Sequence, residues 1–218
     1  ESTGEDLLSH EPLLGTSLCN CVMQQRYDRI DRMARPPLYD DALRDRLLAA
    51  TAEMVDDKGP ERISLRDIAQ NAGTSTSAVY ALFGGKAELL VSVIEHGFAS
   101  FGEAQAAAES EGLRALGLAY RSWAMTNPAL YRLMFGGGVA TEDCRPDEAT
   151  MSTAMAPLMR ALAARVDEPD VPTAALTVWA QVHGAVSLEL AGVTPPLVPW
   201  DSVYGAVVDA VERAFPAR

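Results

Sequence analysis

From Asp40 onward the apolar residues return every three or four positions, the period of a helix with one buried face. Leu43, Leu47, Ala50 and Met54 keep that spacing until Gly59-Pro60 interrupts it. The same pattern predicts a second helix from Ser64, a third from about Ser75 and a long one over 86–108. Further helices are predicted over 112–126, 128–135, 147–166, 171–191 and 200–214. The breaks fall at Asn127-Pro128, Gly136-Gly137-Gly138, Pro169 to Pro172, and Pro195-Pro196 to Pro199, where turn-forming residues gather. Pro157 predicts a kink or a break inside the 147–166 segment. Hardly any stretch alternates with the two-residue period of a strand, so the fold class is all-α.

Residues 1–38 lack helical periodicity and carry scattered Gly, Pro and Ser. Met33-Ala34-Arg35-Pro36-Pro37 reads like a natural start, and the residues before it like an extension expected to be mobile. Arg26, Arg29 and Arg32 could form a short phosphate-touching arm or a solvated tail. Cys19, Cys21 and Cys144 make a poor disulfide framework. The Cys-x-Cys pair could hold a metal, but no second Cys or His pair has metal-site spacing, so free thiols in a reducing cytoplasm are expected. No apolar run nears the roughly 18 residues of a bilayer span, and the acidic N-terminus lacks a secretory signal. A soluble, cytoplasmic chain with no membrane partner is the expectation.

The net charge of −12 among 218 residues weighs against nucleic-acid binding until it is divided along the chain. Residues 33–86 hold seven basic and eight acidic side chains, whereas residues 87–218 hold eight and sixteen. A near-neutral N-terminal unit can still aim its arginines at phosphate. An acidic remainder discourages nonspecific binding.

The stretch from Arg62 to Gly73 opens as a capped helix. Ser64 can accept from a free amide, Asp67 suits the positive helix end, and Ile63 with Ile68 can staple the first turn. Gly73 stands where a left-handed residue permits a tight turn. The next segment, Thr76-Ser77-Ala78-Val79-Tyr80-Ala81-Leu82-Phe83, has one apolar face of Val79, Leu82 and Phe83, with Thr76, Ser77 and Tyr80 opposite. Helix, glycine turn and short polar-headed helix make the plan of a helix-turn-helix, whose second helix enters the major groove. Spacing alone equally describes a helical hairpin in a bundle.

The sequence Ser64-Leu65-Arg66-Asp67-Ile68-Ala69, then Ala72-Gly73, then Ala78 to Phe83, then Lys86-Ala87-Glu88-Leu89-Leu90 resembles the TetR-family headpiece in order, spacing and residue type. The resemblance implies that Ser64 and Arg66 meet phosphate or a base edge and that Ser75, Thr76, Ser77 and Ala78 stand at the recognition positions. It implies a backbone contact for the Tyr80 hydroxyl and a phosphate for Lys86. Arg66 is the best candidate for base readout, since arginine can bond guanine with two parallel hydrogen bonds. Gly84-Gly85 departs from the family pattern, leaving only backbone amides to approach a phosphate there.

Beyond Glu88 the helices are rich in aromatics and methionines. Phe98, Phe101, Tyr120, Trp123, Tyr131, Met134 and Phe135 occupy three of them, and Met151, Met155 and Met159 recur every four residues on another. Such side chains suit an adaptable apolar pocket or plain core. Trp179 and His183 share a helix face, and His183 is either a satisfied core histidine or a polar ligand contact. Val178-Trp179-Ala180-Gln181-Val182-His183-Gly184, with Ala129 to Phe135 upstream, resembles the Trp-His-Gly class of TetR C-terminal domains. That implies a small, largely apolar inducer and a homodimer formed through the last two helices. Leu176, Trp179, Ala180, His183, Ser187 and Leu190 could form one side of that interface. Val203, Ala206, Val207, Ala210, Val211 and Ala214 could form the other.

The expected organisation is an extension over 1–38, a DNA-binding unit over 39–86 and a ligand-binding and dimerisation unit over 87–218. The implied partners are palindromic operator DNA and an inducer, and the implied role is a repressor. No cofactor or metal is implied. The alternative is a helical carrier or enzyme that ignores DNA, with His183 or His96 beside Glu189 or Glu95. No motif arranges a nucleophile, base and orienter, so no catalysis is expected.

Overall fold

The structure, a computed structural model, describes residues 40–135, 148–193 and 198–218. The expectations for the 1–38 extension, for Arg26, Arg29 and Arg32, and for all three cysteines lie outside the described residues. Among the described residues there are helices and no strand. They are α1 (Asp41–Lys58), α2 (Leu65–Asn71), α3 (Thr76–Phe83), α4 (Lys86–Ala108), α5 (Leu113–Thr126), α6 (Pro128–Phe135), α7 (Glu148–Ala163), α8 (Val171–Leu190) and α9 (Trp200–Ala214). Asp41–Arg218 forms one compact unit. No single helix among the described residues is long and apolar enough to cross a membrane.

Helices α1, α2 and α3 pack as a small tripod on the start of α4. Leu47 and Leu48 of α1, Ile68 and Ala69 of α2, and Val79 and Phe83 of α3 are buried there. Arg44 lays its guanidinium 4.7 Å from the centre of the Phe83 ring, closing the tripod from outside. Helix α4 then runs 23 residues, about 35 Å at the helical rise, and joins this headpiece to the rest. Its flanks meet α5, α6 and α7.

Glycine makes room for one close contact. A Cβ added at Gly97 would lie 2.6 Å from the Met134 sulfur, so the bare backbone there gives the Met134 side chain its place between α6 and α4. One C-terminal core cluster gathers Leu113, Leu162, Val171, Ala174, Ala175, Val178 and Val211.

Helix α7 continues through Pro157, so of the expected kink or break, the break is absent. Pro157 is fully buried, and α7 is gripped by α4 on one side and α8 on another. Tertiary packing outweighs the roughly 3 kcal/mol that an interior proline costs a free helix.

Candidate functional site

The short helices of the headpiece are held by their own polar residues. Ser64 Oγ accepts from the Asp67 amide at 3.2 Å, while Asp67 Oδ2 accepts from the Ser64 amide at 3.1 Å and from its hydroxyl at 2.5 Å. These bonds to Ser64 hold the Asp67 carboxyl below the usual carboxylate range. Gly73 adopts φ 68°, and the Thr74 amide donates to Ala69 O at 2.8 Å, closing the turn. Ser75 caps α3 by accepting from the Ala78 amide at 3.2 Å.

That turn aims one side of α3 outward. Ser77 is exposed, Thr76 half-buried, and Tyr80 is 57% exposed although large and aromatic. Ser64, Arg66 and Ser75 are exposed as well, and Lys86, the first residue of α4, is half-buried. Ala78 is a correction: it is fully buried, because it lies on the face that meets the tripod core. Its side chain cannot touch DNA. The Gly84 amide is also committed, donating to Tyr80 O at 2.9 Å.

A cavity of about 660 Å³ lies between α4, α6, α7 and α8. Eight of the twelve side chains put forward for a pocket line it: Phe98, Phe101, Met134, Phe135, Met151, Met155, Met159 and Trp179. The aromatics brace one another edge to face, with Phe98 and Phe135 centred 5.8 Å apart, an arrangement that fits the ring quadrupoles. Ser152 is the one hydroxyl residue in the described lining, and no charged residue is among it.

Sequence reasoning missed Ile94, Leu133, Ala175 and Leu176, which also line the cavity. The signal was available for Ile94 and Leu176. They stand four and three residues before Phe98 and Trp179, on the same helical faces. Nothing in the sequence marked Ser152.

The remaining four expected residues sit elsewhere. Trp123 is buried and donates to Ser100 Oγ at 3.0 Å. Tyr120, Tyr131 and His183 form a hydrogen-bonded cluster with Ser187. The hydroxyls of Tyr120 and Tyr131 lie 3.0 and 2.9 Å from His183 Nδ1, and Tyr131 Oη lies 3.1 Å from Ser187 Oγ. Trp179 Nε1 donates to Tyr120 Oη at 3.4 Å. Burial pushes both tyrosine hydroxyls above their ordinary range and pulls His183 below its ordinary 6.5. The neutral imidazole thus offers at Nδ1 either one lone pair or one N–H to the two hydroxyls, according to its tautomer. Tyr131, His183 and Ser187 also edge a second pocket of about 200 Å³, shared with Arg132 and Phe135.

Helix α6 ties the cavity to the headpiece. Met134 and Phe135 face the cavity. Their neighbour Arg132 grips Asp56 of α1 through two parallel bonds of 2.5 Å. The Arg132 fork holds the Asp56 carboxyl below the usual range.

Helices α8 and α9 leave an open apolar groove lined by Gln181, Ala185, Leu188, Trp200, Val203, Ala206, Val207 and Ala210. The expected α9 stripe is largely there, although Val211 turns into the core. The expected α8 stripe is not. Trp179, His183 and Ser187 point inward to α5 and α6, so the outer face belongs to Gln181, Ala185 and Leu188. Glu189, the carboxylate that a helical enzyme would set beside His183, instead forks onto Arg121 at 2.6 and 2.7 Å.

Comparison with known proteins covers both halves. Residues 47–93 match the family described as bacterial regulatory proteins, tetR family. Residues 113–211 match the one described as tetracyclin repressor-like, C-terminal domain. The HTH-type transcriptional regulators Rv1816 of Mycobacterium tuberculosis and Mb1846 of Mycobacterium bovis are each 32% identical over 99 residues, 42% of this chain. That match also spans only 42% of the length of these relatives. Among solved structures, SCO4313, a candidate regulatory protein, superposes with a TM-score of 0.68 at 26% identity, covering 78% of this chain and 95% of that one. A TetR family transcription regulator from Marinobacter aquaeolei VT8 shares the fold at a TM-score of 0.66 and 20% identity, covering 82% and 98%.

Proposed function

Because the chain belongs to the tetR family of bacterial regulatory proteins and carries both an N-terminal and a C-terminal domain of that family, we propose that it is a dimeric, cytoplasmic repressor released from palindromic operator DNA by a small apolar ligand. The DNA-binding unit is 39–86 and the ligand-binding and dimerisation unit 87–218, with residues 1–38 an extension. The C-terminal unit is of the Trp-His-Gly class, a reading supported by Trp179 and His183 lying ring to ring at 5.5 Å on one helix face.

One observation carries the DNA reading. A capped eight-residue helix turns Ser77 and Tyr80 to solvent while its other face is buried. An exposed tyrosine at that place holds its hydroxyl where a backbone phosphate could accept from it. Arg66 reads a base, Thr76 and Ser77 read few atoms at close approach, and Tyr80 and Lys86 set register and affinity on phosphates.

The dimer is supported by the groove between α8 and α9. Gly184 and Gly205 on these helices face open space, with nothing within 4 Å of an added Cβ, which suits close approach of a second copy. A two-fold pair would set two α3 helices about one DNA turn apart. Ligand in the cavity presses on Met134 and Phe135. The resulting shift of α6 passes to α1 through Arg132 and Asp56 and to α4 through Gly97, changing the spacing of the two headpieces. Coupling of about 3 kcal/mol gives a more than hundredfold change in operator affinity.

The test is selection of preferred duplexes from a random pool by the full chain, with and without cell extract. A palindromic consensus that extract weakens is the expected result. An unenriched pool would sink the DNA reading.

A further inference from the structure

The apolar cavity and the smaller polar pocket share one wall. Phe135, the last residue of α6, lines both. Its ring is centred 5.1 Å from both Tyr131 and His183 on the polar side, and 5.8 Å from Phe98 and 5.9 Å from Trp179 on the apolar side. Phe135 is the one residue that the two described linings share.

Behind the ring stands a hydroxyl-rich cluster without formal charge. Two tyrosine hydroxyls crowd His183 Nδ1 at 2.9 and 3.0 Å, yet a neutral imidazole nitrogen has one lone pair or one N–H to offer. At least one hydroxyl must therefore send its proton elsewhere. Tyr131 has alternatives in Ser187 Oγ at 3.1 Å and the His183 carbonyl at 3.3 Å. Each hydroxyl oxygen carries two lone pairs, so the cluster keeps acceptor capacity, and Ser187 can reverse its proton to donate. A guest that both donates and accepts suits such a site.

Charge narrows the guest further. Arg132 is the one permanently ionised group among the described residues lining either pocket, and its guanidinium is already forked onto Asp56. A carboxylate would have to share a guanidinium whose charge Asp56 already balances through Nε and Nη2, with the Nη1 donors left to meet it, so it gains less there than beside an unpaired cation. The body of the cavity has its own preference. Thioethers of Met134, Met151, Met155 and Met159 share the lining with the rings of Phe98, Phe101, Phe135 and Trp179, and sulfur gains extra contact energy against an aromatic ring.

Resting on the ligand-responsive reading above, we infer that the ligand is a neutral aromatic alcohol or phenol. Its ring system fills the apolar cavity, and its hydroxyl passes Phe135 to join Tyr131, His183 and Ser187.

The experiment titrates the full chain with pyrene, hydroxypyrene and pyrenecarboxylate, read by energy transfer from tryptophan emission, with dodecanol as a displacer. Hydroxypyrene should bind about tenfold tighter than pyrene, the gain expected of two neutral hydrogen bonds. Ser187→Ala and Tyr131→Phe should each erase most of that advantage and leave pyrene affinity unchanged. Phe135→Trp, which thickens the partition, should erase it too. Equal affinity for pyrene and hydroxypyrene would overturn the hydroxyl site while leaving the apolar cavity standing. Tightest binding by pyrenecarboxylate would overturn neutrality, and displacement by dodecanol at equal concentration would overturn the preference for rings. If no probe binds, the inference and the cavity reading beneath it both fail.

Discussion

Arg66 and Lys86 differ in what their charges reach, so their loss should look different. Lys86 stands at the start of α4, where a phosphate contact is blind to sequence, and Lys86→Ala should weaken binding to every duplex by a similar factor. Arg66 is exposed one residue before Asp67 in α2, and Arg66→Ala should flatten preference at one base pair per half-site, about 1–3 kcal/mol of discrimination. Competition with shuffled operators separates the two, and equal losses on every sequence for both variants would refute the division. His183 offers a test of a different kind. Burial holds its folded value below 6.5, so between the two values the unfolded chain binds the extra proton. Its contribution to stability is intact above about pH 6.5 and drains away as pH falls through the folded value. His183→Gln should flatten the fall in urea midpoint between about pH 7.5 and about pH 5. Parallel falls in both proteins would count against it. The cap at Ser64 was legible in the sequence because it depends on a neighbour three residues away, whereas Ser75 reads as a recognition position, and the sequence did not announce its role as the cap of α3. The burial of Ala78 was not legible either, since it is decided by helices distant along the chain.

Among the elements, α6 carries the most consequence for its eight residues. Its far end touches the cavity while Arg132 holds α1. Both partners of the Arg132–Asp56 pair are partly exposed, so solvent screens it and Asp56→Asn should cost only about 0.5–1 kcal/mol of stability. The larger expected effect is on communication: the ligand-induced drop in operator affinity should shrink several-fold, measured by gel shift with and without hydroxypyrene. An unchanged drop would show that α4 alone carries the signal. Helix limits were readable from period and punctuation, with 171–191 expected and Val171–Leu190 found. The face of α8 was misread because Trp179, His183 and Ser187 make as good an apolar-polar stripe for an interior as for an interface. Only the tyrosines of α5 and α6 decide which, and no local pattern announces them.

At the scale of the molecule, the groove between α8 and α9 predicts the oligomeric state. Val207→Glu places a charge in that groove and should yield helical monomers with much weaker operator binding. Sedimentation velocity beside circular dichroism would check it, and an undisturbed dimer would move the interface elsewhere. The all-α architecture followed from periodicity across the chain. Many of the cavity's side chains were legible too, but its outline was not, because a void is defined by where four helices fail to meet. Its uncharged lining has a practical corollary for dissecting the protein. Added potassium chloride competes with lysine and arginine for phosphates, so operator affinity should fall steeply and log-linearly with ionic strength. The hydrocarbon-like wall offers dissolved ions nothing to compete for, so occupancy by a neutral guest should stay level across the same series. Brine thereby becomes a dial that turns one end of the molecule while leaving the other at rest.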